Sequence, residues 1–330
     1  MGLAFEDFTD GEVIEGDPIT VSRDEIVAFA RQFDPQAVHL DEEAAEQTFI
    51  GTLIASGWHT ACLGMRLLQR DAFRGHSSMG SPGIEELRWL RPVMPGHRLR
   101  ARIVVDGTRA SASKPDRGFV RFTMTLLDQS DQKVMTQAFT VMVARRGAAP
   151  LAPRSVPPAA PSDPIPESTD AVPLPFLGEA EIGTVRDLGW HRFEPDAIIA
   201  FAGLYDPQVF HTDPEAARET HFGGLCASGW HTASVWMKRL HETWARDAVP
   251  TAEHGPVPQL GPSPGFREMR WLRPVYAGDT IRYATRLVRA RPTASWPGWG
   301  LATHHNTAEN QRGEPVFEFT GSVFWQWAPA

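Results

Sequence analysis

The sequence predicts an α+β protein built from two copies of one unit, and three observations predict it. A stretch recurs at a constant offset of 172, with 17 of 27 positions identical between Asp34–Thr60 and Asp206–Thr232. In each copy, apolar residues at helical spacing give way to period-two alternation, so helices come first and antiparallel strands follow. Between the copies, residues 147–175 hold nine prolines among Ala and Ser. That composition is a linker without a core of its own, and at ~3.1 Å per residue it reaches roughly 90 Å. The expected domains are therefore 1–146 and 176–330, joined by the linker 147–175.

Composition bounds the function. At 330 residues the chain can hold two domains, each with a real core. A net charge of −8 argues against nucleic acid and anionic surfaces as partners. No apolar run is long enough for a membrane span, and the acidic N-terminus lacks a secretory pattern. Cys62 and Cys226 fall in apolar helical stretches and read as buried, reduced thiols rather than a disulfide or metal pair. Together these point to the cytoplasm.

Taken in order, the first copy opens with a β-like run from Glu12 to Thr20, matched by Phe176 to Asp187. Ser22-Arg-Asp-Glu25 is a capping box that starts a helix carrying Ile26, Val27, Phe29 and Ala30. The second copy starts its helix with Pro195, suited to a first turn. Pro35 and Pro207 disfavour helical geometry at the preceding residue, so Asp34 and Asp206 fall where these helices end. Asp41 to Thr48 reads as a short helix. Helical spacing then runs from Leu53 to about Leu68, and from Leu225 to Leu240, as the central helix of each half.

A Gly/Ser/Pro loop covers Gly75 to Gly83 and is about ten residues longer in the second copy. The repeat resumes at an offset of 182, with Leu87-Arg-Trp-Leu-Arg-Pro-Val93 against Met269-Arg-Trp-Leu-Arg-Pro-Val275. Strands follow at Arg98–Gly107, Gly118–Leu127 and Val134–Ala144. Their counterparts are Thr280–Val288, Gly300–Ala308 and Val316–Trp327. In such an α+β pattern one long helix buries an apolar face against a curved sheet.

The repeat also holds the residues able to do chemistry. Asp34 and His39, like Asp206 and His211, flank a helix end and can converge on one water molecule, which the carboxylate deprotonates and the imidazole orients. The competing reading is a turn-capping aspartate and a packed histidine. Recurrence at identical spacing, while Ala37/Val209, Val38/Phe210 and Leu40/Thr212 differ, favours the dyad. Ser56-Gly57 and Ser228-Gly229 lie at the start of the long helix. Unpaired amides and a partial positive charge there can stabilise an oxyanion. Glycine lets a carbonyl approach closely, although close helix packing explains it equally. Trp58 and Trp230 read as packing or as acyl-pocket walls. His59 and His231 can serve as a second base, but they read rather as helix-face histidines bonded to a nearby carbonyl. Arg88, Arg91, Arg270 and Arg273 are candidates for phosphate contact but equally suit solvated strand faces. His304-His305 has no counterpart in the first copy and no metal-like partners. There is no phosphate-binding glycine loop, no Cys/His metal set and no nucleophile elbow.

Asp-x4-His after a short helix, followed by a long helix opening on a small residue and glycine, resembles the MaoC-like acyl dehydratases. These are close to the (R)-specific enoyl-CoA hydratases. The resemblance covers both halves and includes the turn Ser111 to Gly118. It implies a double hotdog, with two antiparallel sheets each wrapped round a long central helix, the two halves forming a pseudo-dimer within one chain. A further homo-oligomer is compatible with it. The resemblance implies that Asp34 and His39, and Asp206 and His211, activate water, and that the amides of Gly57 and Gly229 hold the thioester oxygen. Ser56, Ser228, Trp58 and Trp230 then complete the substrate site.

The implied activity is that of a hydro-lyase in acyl-CoA or fatty acid metabolism, adding water to an enoyl-CoA or removing it from a 3-hydroxyacyl-CoA. No metal or organic cofactor is implied beyond the coenzyme A of the substrate. Two departures bear on the acyl group. The family motif reads Asp-x-Asn-Pro where this chain has Asp-Pro-Gln, and a serine of some members falls at Met65 and Met237. A branched or dicarboxylic acyl group, such as mesaconyl or methylmalyl, fits the sequence as well as a straight chain. The rival functions are a hotdog acyl-CoA thioesterase and a non-catalytic acyl-CoA-binding protein. Both dyads are intact, so two sites per chain are possible, and the surroundings of either could disable it.

Overall fold

The computed structural model describes residues 3–48, 50–73, 78–149, 151–160, 170–178, 180–250 and 255–328. Part of the predicted Gly75–Gly83 loop and the middle of the linker lie outside the described residues.

The N-terminal half runs β1 (Val13–Glu15), β2 (Ile19–Thr20), α1 (Arg23–Phe33), α2 (Ala37–Leu40), α3 (Glu42–Glu46), α4 (Gly57–Asp71), β3 (Gly83–Trp89), β4 (Arg98–Ala110), β5 (Arg117–Leu127) and β6 (Lys133–Ala144). The C-terminal half repeats the order with β7 (Val185–Arg192), α5 (Pro195–Tyr205), α6 (Val209–Thr212), α7 (Pro214–Arg218), α8 (Gly229–Asp247), β8 (Gly265–Trp271), β9 (Thr280–Pro292), β10 (Trp299–Asn310) and β11 (Pro315–Gln326).

Local chemistry sets these boundaries. Ser22 caps α1 by accepting from the Glu25 amide. The expected helix from Leu53 starts four residues later, because the Ser56 hydroxyl accepts from the Trp58 amide and fixes the cap. Leu53 to Ala55 instead run extended, with the Ala55 amide donating to Val93 O. The opening strand of the second half is also displaced, from Phe176–Asp187 to Val185–Arg192. The single turns α2 and α6, which carry His39 and His211, were not anticipated; at one turn each they have no sequence periodicity to reveal them.

The expectation of two separate sheets is corrected. Among the described residues the strands form one continuous sheet in the order β1-β4-β5-β6-β3-β8-β11-β10-β9-β7, with β2 beside β4. The seam is the antiparallel pair β3–β8, in register from Gly83↔Arg270 to Arg88↔Gly265. Each half alone would present these strands as unpaired edges, and joining them satisfies both. The approach is close at the two glycines. A Cβ on Gly83 would lie 1.9 Å from Met269 O, and one on Gly265, at φ +142°, would lie 2.1 Å from Leu87 O.

The long helices α4 and α8 pack against the sheet, α4 at β4 and α8 at β7. They meet at equivalent repeat positions, where Cys62 Sγ is 3.7 Å from Ser234 Oγ. One apolar cluster spans both halves, from Ile26, Leu63 and Phe122 to Trp236 and Phe319. The two cysteines are free and buried. The described parts of the linker lie along the C-terminal half: the Ala160 amide donates to Gly278 O, and Ala160 and Leu174 are buried. No helix among the described residues is long and apolar enough to cross a membrane.

Candidate active site

The two dyads have the same local geometry. Asp34 caps the C-terminus of α1, and Pro35 turns the chain so that α2 brings His39 back beside it. His39 Nε2 is 3.5 Å from Asp34 Oδ2, and His211 Nε2 is 3.5 Å from Asp206 Oδ2. Gln36 Nε2 donates to Asp34 Oδ1 at 2.8 Å, and Gln208 Nε2 to Asp206 Oδ1 at 2.9 Å. His39 Nδ1 lies 2.9 Å from Ile54 O, and His211 Nδ1 lies 2.7 Å from Cys226 O. A carbonyl can only accept, so the Nδ1 atoms carry the proton and a neutral ring offers Nε2 as an acceptor. Carboxylate Oδ2 and imidazole Nε2 are then two acceptors side by side, suited to hold the two hydrogens of one water.

Ser56 and Ser228 differ from their expected role as substrate contacts. Each is fully buried and donates its hydroxyl to the aspartate Oδ2 at 2.6 Å while capping its helix. Their geometry fixes the carboxylates. Gly57 and Gly229 sit at the first helical position, and the second repeated motif explains why they are glycines. Trp89 Nε1 donates to Gly57 O at 2.8 Å, and a Cβ on Gly57 would meet the Trp89 ring at 2.7 Å. Trp271 covers Gly229 in the same way.

His59 and His231 are not bases facing substrate, nor is His59 bonded to a carbonyl as expected. Both are buried and stack on Phe29 and Phe201. Both His59 ring nitrogens lack a partner, and burial pushes both pKa values down to about 3. Of the four arginines, Arg88 pairs with Glu86 and Arg270 with Glu318, while Arg91 borders the cavity described next.

The surroundings of the dyads differ. Asp34, His39, Gly57 and Trp58 line a cavity of about 810 Å³. Beside further residues of the N-terminal half, from Gln36 to Val93, the other half supplies a large part of its wall: Trp236, Met237 and Leu240 of α8, Thr285 and Leu287 of β9, His304 and Asn306 of β10, and residues of β11 between Phe319 and Trp325. A cavity of this size takes a small-molecule ligand. Near Asp206 and His211 there is a cavity of about 520 Å³, but its lining includes Pro207, Gln208 and Phe210 and neither dyad residue. Trp230 packs at the seam against Trp271 and Phe266, whereas Trp58 lines the larger cavity.

Repeat positions explain the difference. In the N-terminal sheet, the face of β5 turned to the interior carries Val120, Phe122, Met124 and Leu126, and Phe139 stands on β6 opposite Phe122. Phe122 packs against Phe8, Phe73 and Phe139 at centroid distances of 5.5–5.8 Å. In the C-terminal sheet the corresponding face carries Ala302, His304, Asn306 and Ala308, with Gly321 opposite His304. Smaller and more polar residues leave space where the other half is filled.

One further residue joins the first site. His241 of α8 reaches across the interface and places Nε2 3.5 Å from Asp34 Oδ1. Burial pushes its pKa down, against the pull of the Asp34 carboxylate. The equivalent position in the first copy is Gln69. Sequence reasoning missed His241 and Asn306, and singled out His304 without giving it a role. The signal available was a difference between the copies at matched positions.

Among the described residues no cluster of His, Cys, Asp or Glu could hold a metal ion. The sequence pattern of the family described as MaoC like domain matches residues 5–122 and again 178–295. A MaoC domain protein from Chloroflexus aurantiacus J-10-fl superposes with a TM-score of 0.80 at 17% identity, covering 99% of this chain and 98% of that one. A conserved hypothetical protein from Mycobacterium tuberculosis with a double hotdog fold superposes with a TM-score of 0.72 at 18% identity, over 98% of both chains. The uncharacterised protein YdeM of Bacillus subtilis (strain 168) is 27% identical over 143 residues, which is 43% of this chain and all of that protein.

Proposed function

The chain belongs to the MaoC-like domain family, with its double hotdog fold, and from that premise we propose that it is an acyl-CoA hydro-lyase working at one site, that of Asp34 and His39. The observation that carries this reading is the lining of the larger cavity, which includes Asp34, His39 and Gly57 and neither Asp206 nor His211.

In the hydration direction, a water held between Asp34 Oδ2 and His39 Nε2 directs its oxygen at C3 of a 2-enoyl thioester. The C3–O bond forms as the dyad takes one water proton. The C2=C3 electron pair moves toward the thioester carbonyl, where the Gly57 amide stabilises the enolate oxygen. C2 then takes a proton from the dyad, so the net addition is one water. Dehydration is the reverse. His241 positions the Asp34 carboxylate from the side opposite Ser56. Pocket walls such as Trp58 and Trp236 hold the acyl part, and Arg91 lies where a phosphate of the coenzyme can reach it.

Incubation with crotonyl-CoA and longer 2-enoyl-CoAs tests the reading. Loss of enoyl absorbance without release of free thiol is the expected result. Free thiol would assign a thioesterase instead, and no change with any substrate would leave an acyl-CoA-binding role.

A further inference from the structure

The larger cavity occupies a place that the N-terminal half fills with rings. There Phe8, Phe122 and Phe139 pack together, with the Phe8 and Phe139 ring centroids 5.6 and 5.5 Å from that of Phe122. The repeat-related residues are Ala180, His304 and Gly321, and all three line the cavity. Backbone bonds fix the match at Ala180. The Gly11 amide donates to Val105 O and the Gly183 amide to Leu287 O, so the residues three earlier, Phe8 and Ala180, have the same place in the two halves. Met79 is replaced by Gly261 in the same way: the Met79 amide donates to Met142 O, and the Gly261 amide to Phe324 O. Met79 is buried, whereas Gly261 lines the cavity. Larger residues enter only as walls, Trp236 in place of Gly64 and Trp325 in place of Val143.

The space is long. Its wall follows β11 from Phe319, whose ring centroid is 5.8 Å from that of Trp58 beside Gly57, to Trp325. Six residues at ~3.3 Å each span about 20 Å, and at ~1.5 Å per carbon–carbon bond an extended twelve-carbon chain needs about 14 Å. The far end is apolar: Leu260, Leu287 and Trp325 belong to one small cluster with Leu174 and Leu177 from the end of the linker. Charge is uneven along this length. Arg91 stands at the thioester end, two residues after the Trp89 that covers Gly57. Toward the linker the wall carries the exposed acid Glu181, and Arg186 there is paired with the buried Asp247. A carboxylate on the tail would be brought toward a like charge. Resting on the hydro-lyase reading of this site, we infer that its substrates carry a long, uncharged acyl chain, laid along β11 in the space that Phe8, Phe122 and Phe139 fill in the other half.

Calorimetric binding of saturated thioesters, kept below the concentrations at which they form micelles, tests this without chemistry. The probes are butanoyl-, octanoyl- and dodecanoyl-CoA, with dodecanedioyl-CoA as the charged counterpart. Each methylene taken from water adds to affinity, so binding should tighten by about tenfold or more from butanoyl to octanoyl and again from octanoyl to dodecanoyl. Dodecanedioyl-CoA should bind about tenfold or more weaker than dodecanoyl-CoA. Ala180→Phe, which copies Phe8, should weaken dodecanoyl-CoA by about tenfold or more and leave butanoyl-CoA within about threefold. If Ala180→Phe does not fold, the wild-type series decides by itself. Affinity that stops rising at butanoyl-CoA, dodecanedioyl-CoA bound as tightly as dodecanoyl-CoA, or an Ala180→Phe protein that keeps the wild-type series would each overturn the inference. Because no turnover is required, failure of the hydratase assay leaves this result readable, and the two readings fail separately.

Discussion

The imidazole of His241 approaches the carboxylate of Asp34 from the opposite half of the molecule, with Nε2 3.5 Å from Oδ1. The repeat-related position in the first copy belongs to Gln69, so the two halves differ in the side chain they offer here. His241→Gln copies that arrangement into the first site. Removing the imidazole should lower kcat by roughly tenfold, which corresponds to a loss of ~1.4 kcal/mol of transition-state stabilisation, with KM nearly unchanged. Steady-state kinetics on the best enoyl-CoA provides the measurement, and a change confined to KM would assign His241 to binding instead.

The dyads should be unequal in activity. Asp34→Asn removes the proton acceptor at the open cavity, and hydration should drop by about 10²- to 10⁴-fold, the range for a general base. Asp206→Asn, behind the filled interior, should leave kcat within about threefold of wild type on the same scale. A reversed pattern would move the active site to the second half.

Filling the cavity should act on binding. Gly321 stands where the other half has Phe139, and a Cβ there comes within 3.0 Å of Phe319 and 3.5 Å of Asn306 Nδ2, side chains rather than backbone. Gly321→Phe should raise KM for six-carbon and longer acyl-CoAs by about tenfold or more, the effect of losing at least ~1.4 kcal/mol of acyl contact. Crotonyl-CoA, with a shorter tail, should be affected less.

Acid should unfold the chain through its buried histidines. His59 and His231 have folded pKa values near 3, against about 6.5 in an unfolded chain. The unfolded state therefore binds more protons between these values, and stability is complete above pH 6.5 and lost as pH falls toward 3. The slope approaches about 1.4 kcal/mol per pH unit for each histidine. Tm from calorimetry at pH 7.5, 6.5 and 5.5 should fall progressively. In the His59→Phe/His231→Phe protein that slope should flatten, whatever its absolute stability.

Much of this architecture could be read from the chain because it rests on short-range rules. Proline placed Asp34 and Asp206 at helix ends, Ser56 and Ser228 marked the helix starts, and alternation such as Val120-Phe122-Met124-Leu126 marked strands. The single sheet was not legible, since the pairing of Gly83 with Arg270 joins residues related by no local pattern. Nor was the unequal standing of the dyads. Attention to positions the copies share finds Asp34 and His39 twice over. The asymmetry lies where they differ, at Gln69 and His241, Phe122 and His304, Phe139 and Gly321. Those differences gain meaning only when the fold shows that the cavity of one half opens on the dyad of the other.

The shared seam and the crossed cavity also make the linker a device for stoichiometry. Two separate chains of this kind could pair like with like. Two N-terminal halves would bring Asp34 against an interior filled by Phe122 and Phe139, with Gln69 in place of His241. One continuous polypeptide holds the unlike halves at the millimolar effective concentrations typical of tethered partners, so each molecule synthesised assembles the unlike pair. The proline-rich span between them thereby acts as a pairing rule written into the gene.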